Sequence, residues 1–246
     1  MADFRDPFYE HYVTTFKSIE NPADEGNLNS YLAWCRHHYG PLLHDLDRTS
    51  SILELGCGPG YMMLFLQSEG FVNVKGIDLS QEQVDLAHRR GLQVEVADVL
   101  TYLSQNMKSY DVILALDLME HFSKEELIPL VSRIHARLNP GGAFILQTPN
   151  GQGLFSNQVI YGDLTHLTIF TPGSLHQLLC LIGFEEIDIR GTGPAPKNIM
   201  GIFRLTIWRF ASLLATIVRM AETGKRQTIL TENMICCAYK QSSSEV

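Results

Sequence analysis

The segment "LDLMEHF" (116–122) gathers Asp117, Glu120 and His121 at the exit of an apolar run, "YDVILALD". Such a run reads as a buried strand, and ionisable groups at its end cost free energy unless a partner meets them. If Asp117 opens a helical turn, positions i, i+3 and i+4 point to one side. Acids and an imidazole grouped this way can help to hold a divalent cation, or the imidazole can take a proton near neutral pH.

Other apolar runs end in residues of a different kind. "SILELG" (51–56) leads into "CGPGY", so Gly56, Gly58 and Gly60 follow a G-x-G-x-G spacing, with Tyr61 where a dinucleotide fingerprint has its third glycine. Glycines there let the backbone approach a ligand at a helix N-terminus. "VKGID" (74–78) ends in Asp78, where a carboxylate can accept hydrogen bonds from both hydroxyls of a ribose. "LQVEVAD" (92–98) ends in Asp98, placed to receive an exocyclic amine. Any one of these acids could be an ordinary turn residue. A glycine loop with acids at the next two strand exits, in order, is far more specific.

The elements that position these residues alternate along the chain. A helix is expected around 28–39, then strands at 51–56, 74–78, 92–98 and 110–117 with helices between them. Ser80 with Gln83, and Ser123 with Glu126, have the spacing of capping boxes opening two of those helices. "NPGG" turns into a strand "AFILQT", followed by a helix at about 173–182 and strands "GFEEIDIR" and "NMICCAYK". Alternation of this kind implies parallel strands with helices on both faces, and ligands in such sheets bind outside the carboxyl ends of the strands.

The combination resembles the class I S-adenosylmethionine-dependent methyltransferases over roughly residues 45–240, with "ELGCGPG" matching that family's first motif. The resemblance implies an α/β fold with a seven-stranded Rossmann-like sheet whose last strand, "NMICCAYK", is antiparallel. It implies that Glu54, Gly56, Cys57, Gly58 and Gly60 line the methionine part of S-adenosylmethionine. Asp78 with Leu79 would sit at the ribose, Asp98 with Val99 at the adenine, and Leu116 at the end of the fourth strand beside the methyl-donating sulfur. The chain then reads as one methyltransferase domain, with residues 1–45 a helical cap and 194–228 an inserted basic amphipathic helix between the last two strands. Phe8, Tyr9, Tyr12 and Phe16 are expected to form a helix over the cofactor pocket.

By the same resemblance, His166 in "YGDLTHLTIF" approaches the pocket that Asp117, Glu120 and His121 face. Four such ligands suit Mg²⁺, Mn²⁺ or Zn²⁺, which would lower the pKa of an acceptor hydroxyl. The pattern is similar to the "E-x-x-E-H" and distant His of the small-RNA 2′-O-methyltransferases and the ubiquinone-pathway O-methyltransferases, with Asp117 in place of the first Glu. Against the metal stands a plainer reading, in which Glu120 orients a helix and His121 or His166 is the proton acceptor.

The stretch "TPNGQGLFSNQVIYGDLTHLTIFTPGSLHQLL" resembles methyltransferases of bacterial surface-polysaccharide and O-antigen synthesis, which makes Asn150, Tyr161 and Asp163 candidate contacts to a hydroxyl-rich acceptor. A sugar or glycan hydroxyl is therefore the expected acceptor, with a quinone or lipid phenol as the alternative enzyme reading. A non-catalytic S-adenosylmethionine-binding protein is the reading outside catalysis.

Charge bears on the partner. The net charge is −8, yet the segment Lys197–Arg226 carries +5, leaving −13 on the rest. That balance argues against nucleic acid. "NIMGIFRLTIWRFASLLATIVRM" (198–220) has helical length, and on a wheel Arg204, Arg209, Ser212, Thr216 and Arg219 share one side while apolar residues fill the other. A basic amphipathic helix of this kind suits an anionic membrane surface, bringing the protein to a lipid-linked glycan or quinone; a lid or a dimer interface is the alternative. Hydrophobic residues make up 45% of the chain and charged ones 19%, ordinary for a globular protein. The odd count of five cysteines, without metal-type spacing, suggests reduced thiols in the cytoplasm. The start shows no signal-peptide pattern, and no uninterrupted apolar stretch reads as long enough to cross a bilayer.

Overall fold

The computed structural model describes Arg5, Phe8 and residues 25–242. Tyr9, Tyr12 and Phe16, expected over the cofactor pocket, lie outside the described residues. Of the expected cap, helices α1 (Glu25–His38) and α2 (Gly40–Leu43) precede the sheet.

The apolar runs become strands β1 (Ile52–Leu55), β2 (Val74–Asp78), β3 (Val94–Val96), β4 (Tyr110–Leu116) and β5 (Leu138–Pro149). Between them run α3 (Tyr61–Ser68), α4 (Gln81–Arg89), α5 (Val99–Gln105) and α6 (Lys124–Arg137). After β5 come α7 (Asn157–Gly162), α8 (Pro172–Ile182), β6 (Phe184–Gly191), α9 (Ile199–Thr223) and β7 (Asn233–Lys240). The seven strands form one sheet in the order β3-β2-β1-β4-β5-β7-β6. β1 to β5 are parallel, and β7 runs antiparallel between β5 and β6, as the resemblance implied.

Because strand side chains alternate between faces, each strand feeds two cores. Leu53 and Leu55 of β1 pack with residues of α5, α6 and α8, while Ile52 packs with residues of α1, α3 and α4. Glu54 shares the Ile52 face and is buried. Two-sided burial explains why these strands are continuous apolar runs rather than alternating ones.

The Ser123–Glu126 capping box forms, with Ser123 N donating to Glu126 Oε2 at 2.8 Å. The Ser80–Gln83 box does not: Ser80 makes no side-chain cap bond, and Ser80 Oγ and Gln83 Oε1 are buried without a hydrogen-bond partner among the described residues. Asp98 caps α5 instead of ending a strand, its Oδ1 accepting from Thr101 N at 2.8 Å. α9 is long and apolar enough, by length and composition, to cross a membrane. The expectation that no uninterrupted apolar stretch is long enough stands beside this, since Arg204, Arg209 and Arg219 break the run but leave the average apolar.

Gly60 sits in the left-handed region at φ 83°, and a Cβ there would lie 2.1 Å from Leu92 Cδ1. Gly91, at φ 75°, has nothing within 4 Å of that position. Gly60→Ala should therefore destabilise the fold by about 1–3 kcal/mol more than Gly91→Ala, because it adds overpacking to the shared backbone strain. Urea denaturation with unchanged m-values is the measurement, and equal midpoints for the two variants would show that Leu92 yields freely.

Candidate active site

The strand order reverses between β1 and β4, and a cavity of about 880 Å³ opens at their carboxyl ends. That is within the about 300–1,000 Å³ usual for ligand sites at such a switch point. Its wall includes Glu54, Gly56, Cys57, Gly58, Asp78, Leu79, Asp98, Val99 and Leu116, and, farther along, Asp117, Glu120, His121, Asp163 and His166. Sequence positions spread over more than a hundred residues thus meet in one chamber.

At one end the glycine loop lies over buried acid. Gly56 has φ 65°, and a Cβ on it would meet Leu118 Cδ1 at 2.8 Å, so a side chain there would crowd Leu118, which lines the cavity with it. Gly58 N donates to Asp78 Oδ2 at 2.7 Å and Ser80 N to Asp78 Oδ1 at 2.9 Å, which fixes the carboxylate at the loop. Glu54 is buried and its Oε2 has no partner in the described residues. Burial, and then the neighbouring Asp78, push the Glu54 carboxyl well above its ordinary range. An orphaned buried carboxylate beside a backbone cradle fits the α-ammonium of an amino-acid moiety, which is the donor set S-adenosylmethionine requires. Ser80 and Gln83, whose Oγ and Oε1 lack partners among the described residues, line the same end. Their spacing had the form of a cap, and only the fold shows them facing the cavity.

At the other end, Glu120, His121 and His166 bring one ligand atom each within 4.8 Å of one another. Two loops are stitched to achieve this. Leu167 N and Thr168 N donate to Glu120 O at 2.8 and 3.0 Å, and Thr168 Oγ1 donates to Phe122 O at 2.8 Å. The rings of His121 and His166 stand edge to face, 4.8 Å apart. Thr165 Oγ1 lies 2.6 Å from Asp163 Oδ1 and 2.8 Å from His121 Nδ1. The hydroxyl must donate to the carboxylate, so it accepts from Nδ1–H, and the acceptor lone pair of His121 falls on Nε2. His166 Nδ1 lies 3.0 Å from the Ile160 carbonyl oxygen, which can only accept, so its lone pair is also on Nε2. Burial, then His166, pull the His121 imidazole down to about 4, against the raising effect of Asp163. Glu120 accepts from Thr148 Oγ1 at 3.0 Å, while its buried Oε1 has no partner; burial, then Asp117, raise its carboxyl well above the usual range. The trio is chemically suited to a divalent cation.

Asp117 does not join that trio. It adopts φ 50°, and both carboxylate oxygens accept from Gln147 Nε2 at 3.0 Å. Gln147 Oε1 in turn accepts from the hydroxyl of the buried Tyr39 at 2.9 Å. Of the four residues expected together, Glu120, His121 and His166 meet, while the Asp117 carboxylate is held by Gln147. Gln147 lies near the carboxyl end of β5, the kind of position that marked the acids, whereas Tyr39 carried no such signal. Three further candidates lie elsewhere. Gly60 packs against Leu92 and does not line the cavity. Tyr161 projects from α7, 77% exposed and outside the cavity wall. Asn150 is fully buried, donating to Thr231 O at 3.0 Å and accepting from Gln152 N at 3.0 Å, so it braces the start of β7.

A family model described as a methyltransferase domain matches residues 31–189. The ubiquinone biosynthesis O-methyltransferase of Rickettsia bellii is 33% identical over 181 residues, covering 67% of this chain and 71% of that one. A SAM-dependent methyltransferase from Archaeoglobus fulgidus superposes with TM-score 0.60 at 18% identity, covering 97% of this chain and all (100%) of the other. Phosphoethanolamine N-methyltransferase 2 of Haemonchus contortus, in complex with S-adenosyl-L-methionine, gives TM-score 0.64 at 18% identity over 98% of this chain and 61% of its own. At that identity the two structures speak to the fold.

A cationic ammonium arriving beside Glu54 lowers the carboxyl that burial has raised, so S-adenosylhomocysteine binding should be linked to proton release from Glu54 and tighten as pH rises. Calorimetry in buffers of different ionisation enthalpy would register it. Glu54→Gln should abolish the buffer dependence and weaken binding about tenfold to a hundredfold, the loss of a charge-assisted hydrogen bond.

Proposed function

We propose an oxygen acceptor for this chain, which belongs to the methyltransferase-domain family and is an S-adenosylmethionine-dependent methyltransferase. The observation that carries the proposal is the convergence of Glu120, His121 and His166 at the end of the cavity away from Glu54. When bound, S-adenosylmethionine supplies an electrophilic methyl group on a sulfonium, so the protein's remaining tasks are alignment, exclusion of water and removal of one proton. Glu54 and the Gly56–Gly58 backbone hold the amino-acid end, and Asp78 holds the ribose. The Asp163–Thr165–His121 relay keeps the imidazole in the tautomer with its acceptor on Nε2, and at neutral pH its lowered pKa keeps it unprotonated. An acceptor hydroxyl delivered to His121 or His166 can pass its proton there as the oxygen attacks the methyl carbon in line.

The same trio would hold a divalent cation, with the orphaned Glu120 oxygen and two imidazole lone pairs as donors. Such a cation would acidify a coordinated hydroxyl. Two acceptor classes fit. A phenolic hydroxyl of an isoprenoid quinone precursor is supported by the likeness to the Rickettsia bellii enzyme. A sugar or glycan hydroxyl is supported by the polar side of the cavity around Gln158 and Asp163.

Methyl transfer from labelled S-adenosylmethionine to a polyprenylated catechol should exceed transfer to sugar nucleotides or glycans, and the reverse order would move the assignment to the second class. His121→Ala and His166→Ala should each cut turnover about a hundredfold or more while leaving S-adenosylhomocysteine binding intact. Unaltered turnover in both would remove them from the chemistry. Dialysis against EDTA decides the cation: activity lost and restored by Mg²⁺, Mn²⁺ or Zn²⁺ supports it, and activity kept leaves the histidines as proton acceptors.

A further inference from the structure

α9 turns its apolar side away from the protein. Its half-buried residues between 201 and 216, Gly201, Leu205, Trp208, Ala211, Ser212, Ala215 and Thr216, recur every three or four positions and form the stripe that faces the body. Thr216 Oγ1 donates to Gln227 O at 3.3 Å on that side. On the opposite stripe Phe203, Phe210 and Ile217 are 60, 64 and 54% exposed. This inverts the usual surface helix, whose apolar face looks inward. At 100° per residue, Arg204 and Arg209 fall on the two borders of the apolar arc. Neither forms an ion pair among the described residues.

We propose that α9 lies flat in the surface of an anionic membrane, with its apolar arc in the acyl boundary and Arg204 and Arg209 reaching lipid phosphates on either side. The charge is complementary: Lys197–Arg226 holds Glu222 as its lone acid and carries +5, in a chain whose remainder is −13. Long basic side chains bordering an apolar arc bury their stems and keep their charge in the headgroup layer.

A spanning arrangement conflicts with the return of the chain. Leu154 N donates to Leu230 O at 3.0 Å and Asn150 N to Glu232 O at 2.7 Å, so the segment after α9 is pinned to the body. From Thr223 to Leu230 an extended chain reaches about 25 Å, less than the roughly 30 Å apolar thickness it would have to recross with unpaired backbone. A second copy of the chain is disfavoured too, since two-fold pairing of this helix sets basic borders against basic borders. The N-terminal turns of α9 also wall a cavity of about 480 Å³ that shares Glu232 and Asn233 with the active-site cavity. Docking would thus set the bilayer beside the reaction site. The inference stands whichever acceptor is methylated.

Flotation of the full chain with phosphatidylglycerol vesicles at low salt is the test, with phosphatidylcholine vesicles as the comparison. The protein should float with the anionic vesicles, lose binding as salt is raised, and stay at the bottom with the zwitterionic ones. Arg204→Glu with Arg209→Glu, and separately Phe203→Ser with Phe210→Ser, should each lower the bound fraction at least tenfold. All four positions are solvent-exposed, and an unchanged circular dichroism melt checks that both variants fold. Absence of flotation at low salt overturns the proposal, as does equal binding to both lipids. A concentration-dependent dimer in sedimentation, dissolved by Phe203→Ser with Phe210→Ser and indifferent to vesicles, would assign the helix to a second copy instead.

Discussion

Two buried carboxylates, each with one oxygen that finds no partner in the described residues, set the terms for this protein. Glu54 lies within β1 and Glu120 just beyond β4, the adjacent strands between which the sheet order reverses. Removing a carboxylate from water without compensation is among the costlier things a fold can do. Both groups respond as isolated buried acids must, with their carboxyls raised by burial and by a neighbouring aspartate, Asp78 in one case and Asp117 in the other. Such an arrangement persists where the missing partner is a ligand. The two acids mark opposite ends of one chamber, one suited to a cationic amine and the other to a cation or to the chemistry of a hydroxyl.

The rest of the architecture holds those ends at a fixed spacing. The β1–β4 pairing aligns Glu54 with Leu114, so the glycine loop and the Asp117 turn leave the sheet side by side. Asp78 ties the loop to β2 through Gly58. On the other side, Tyr39, Gln147 and Asp117 form a hydrogen-bonded line from the N-terminal helical region, across the end of β5, to the turn after β4. That line holds Asp117 in a left-handed conformation uncommon for a residue with a side chain. Strain of this kind is kept only where surrounding contacts over-determine it, and here it aims the Met119–His121 turn into the cavity.

α9 obeys a different logic. A helix inserted between the last two strands could have covered the cavity with its apolar side, yet it rests on the body through small and polar residues plus Leu205 and Trp208. The sheet and its two cores are complete without that apolar arc. Its free energy of burial remains available to something outside the chain.

The sequence by itself determined the strands and their alternation with helices, because apolar periodicity is a local signal. The antiparallel last strand and most of the residues at the glycine-loop end of the cavity came through the family resemblance that the glycine spacing carries. It also pointed to Glu120, His121 and His166, whose ligand atoms the fold brings within 4.8 Å of one another, the last through a resemblance and not through local pattern. What only the tertiary structure decided depends on who meets whom. Ser80 and Gln83 have the spacing of a cap but face the cavity. Asp117 has the spacing of a ligand but is taken by Gln147, a partner 30 residues away. Asn150 and Tyr161 sit in a segment rich in polar residues, one buried under Thr231 and the other turned outward. The helical wheel of α9 separated polar from apolar correctly, yet it could not say which side the body would take. A side chain's periodicity is written in its neighbours along the chain; its partner is chosen by loops that close across the sheet.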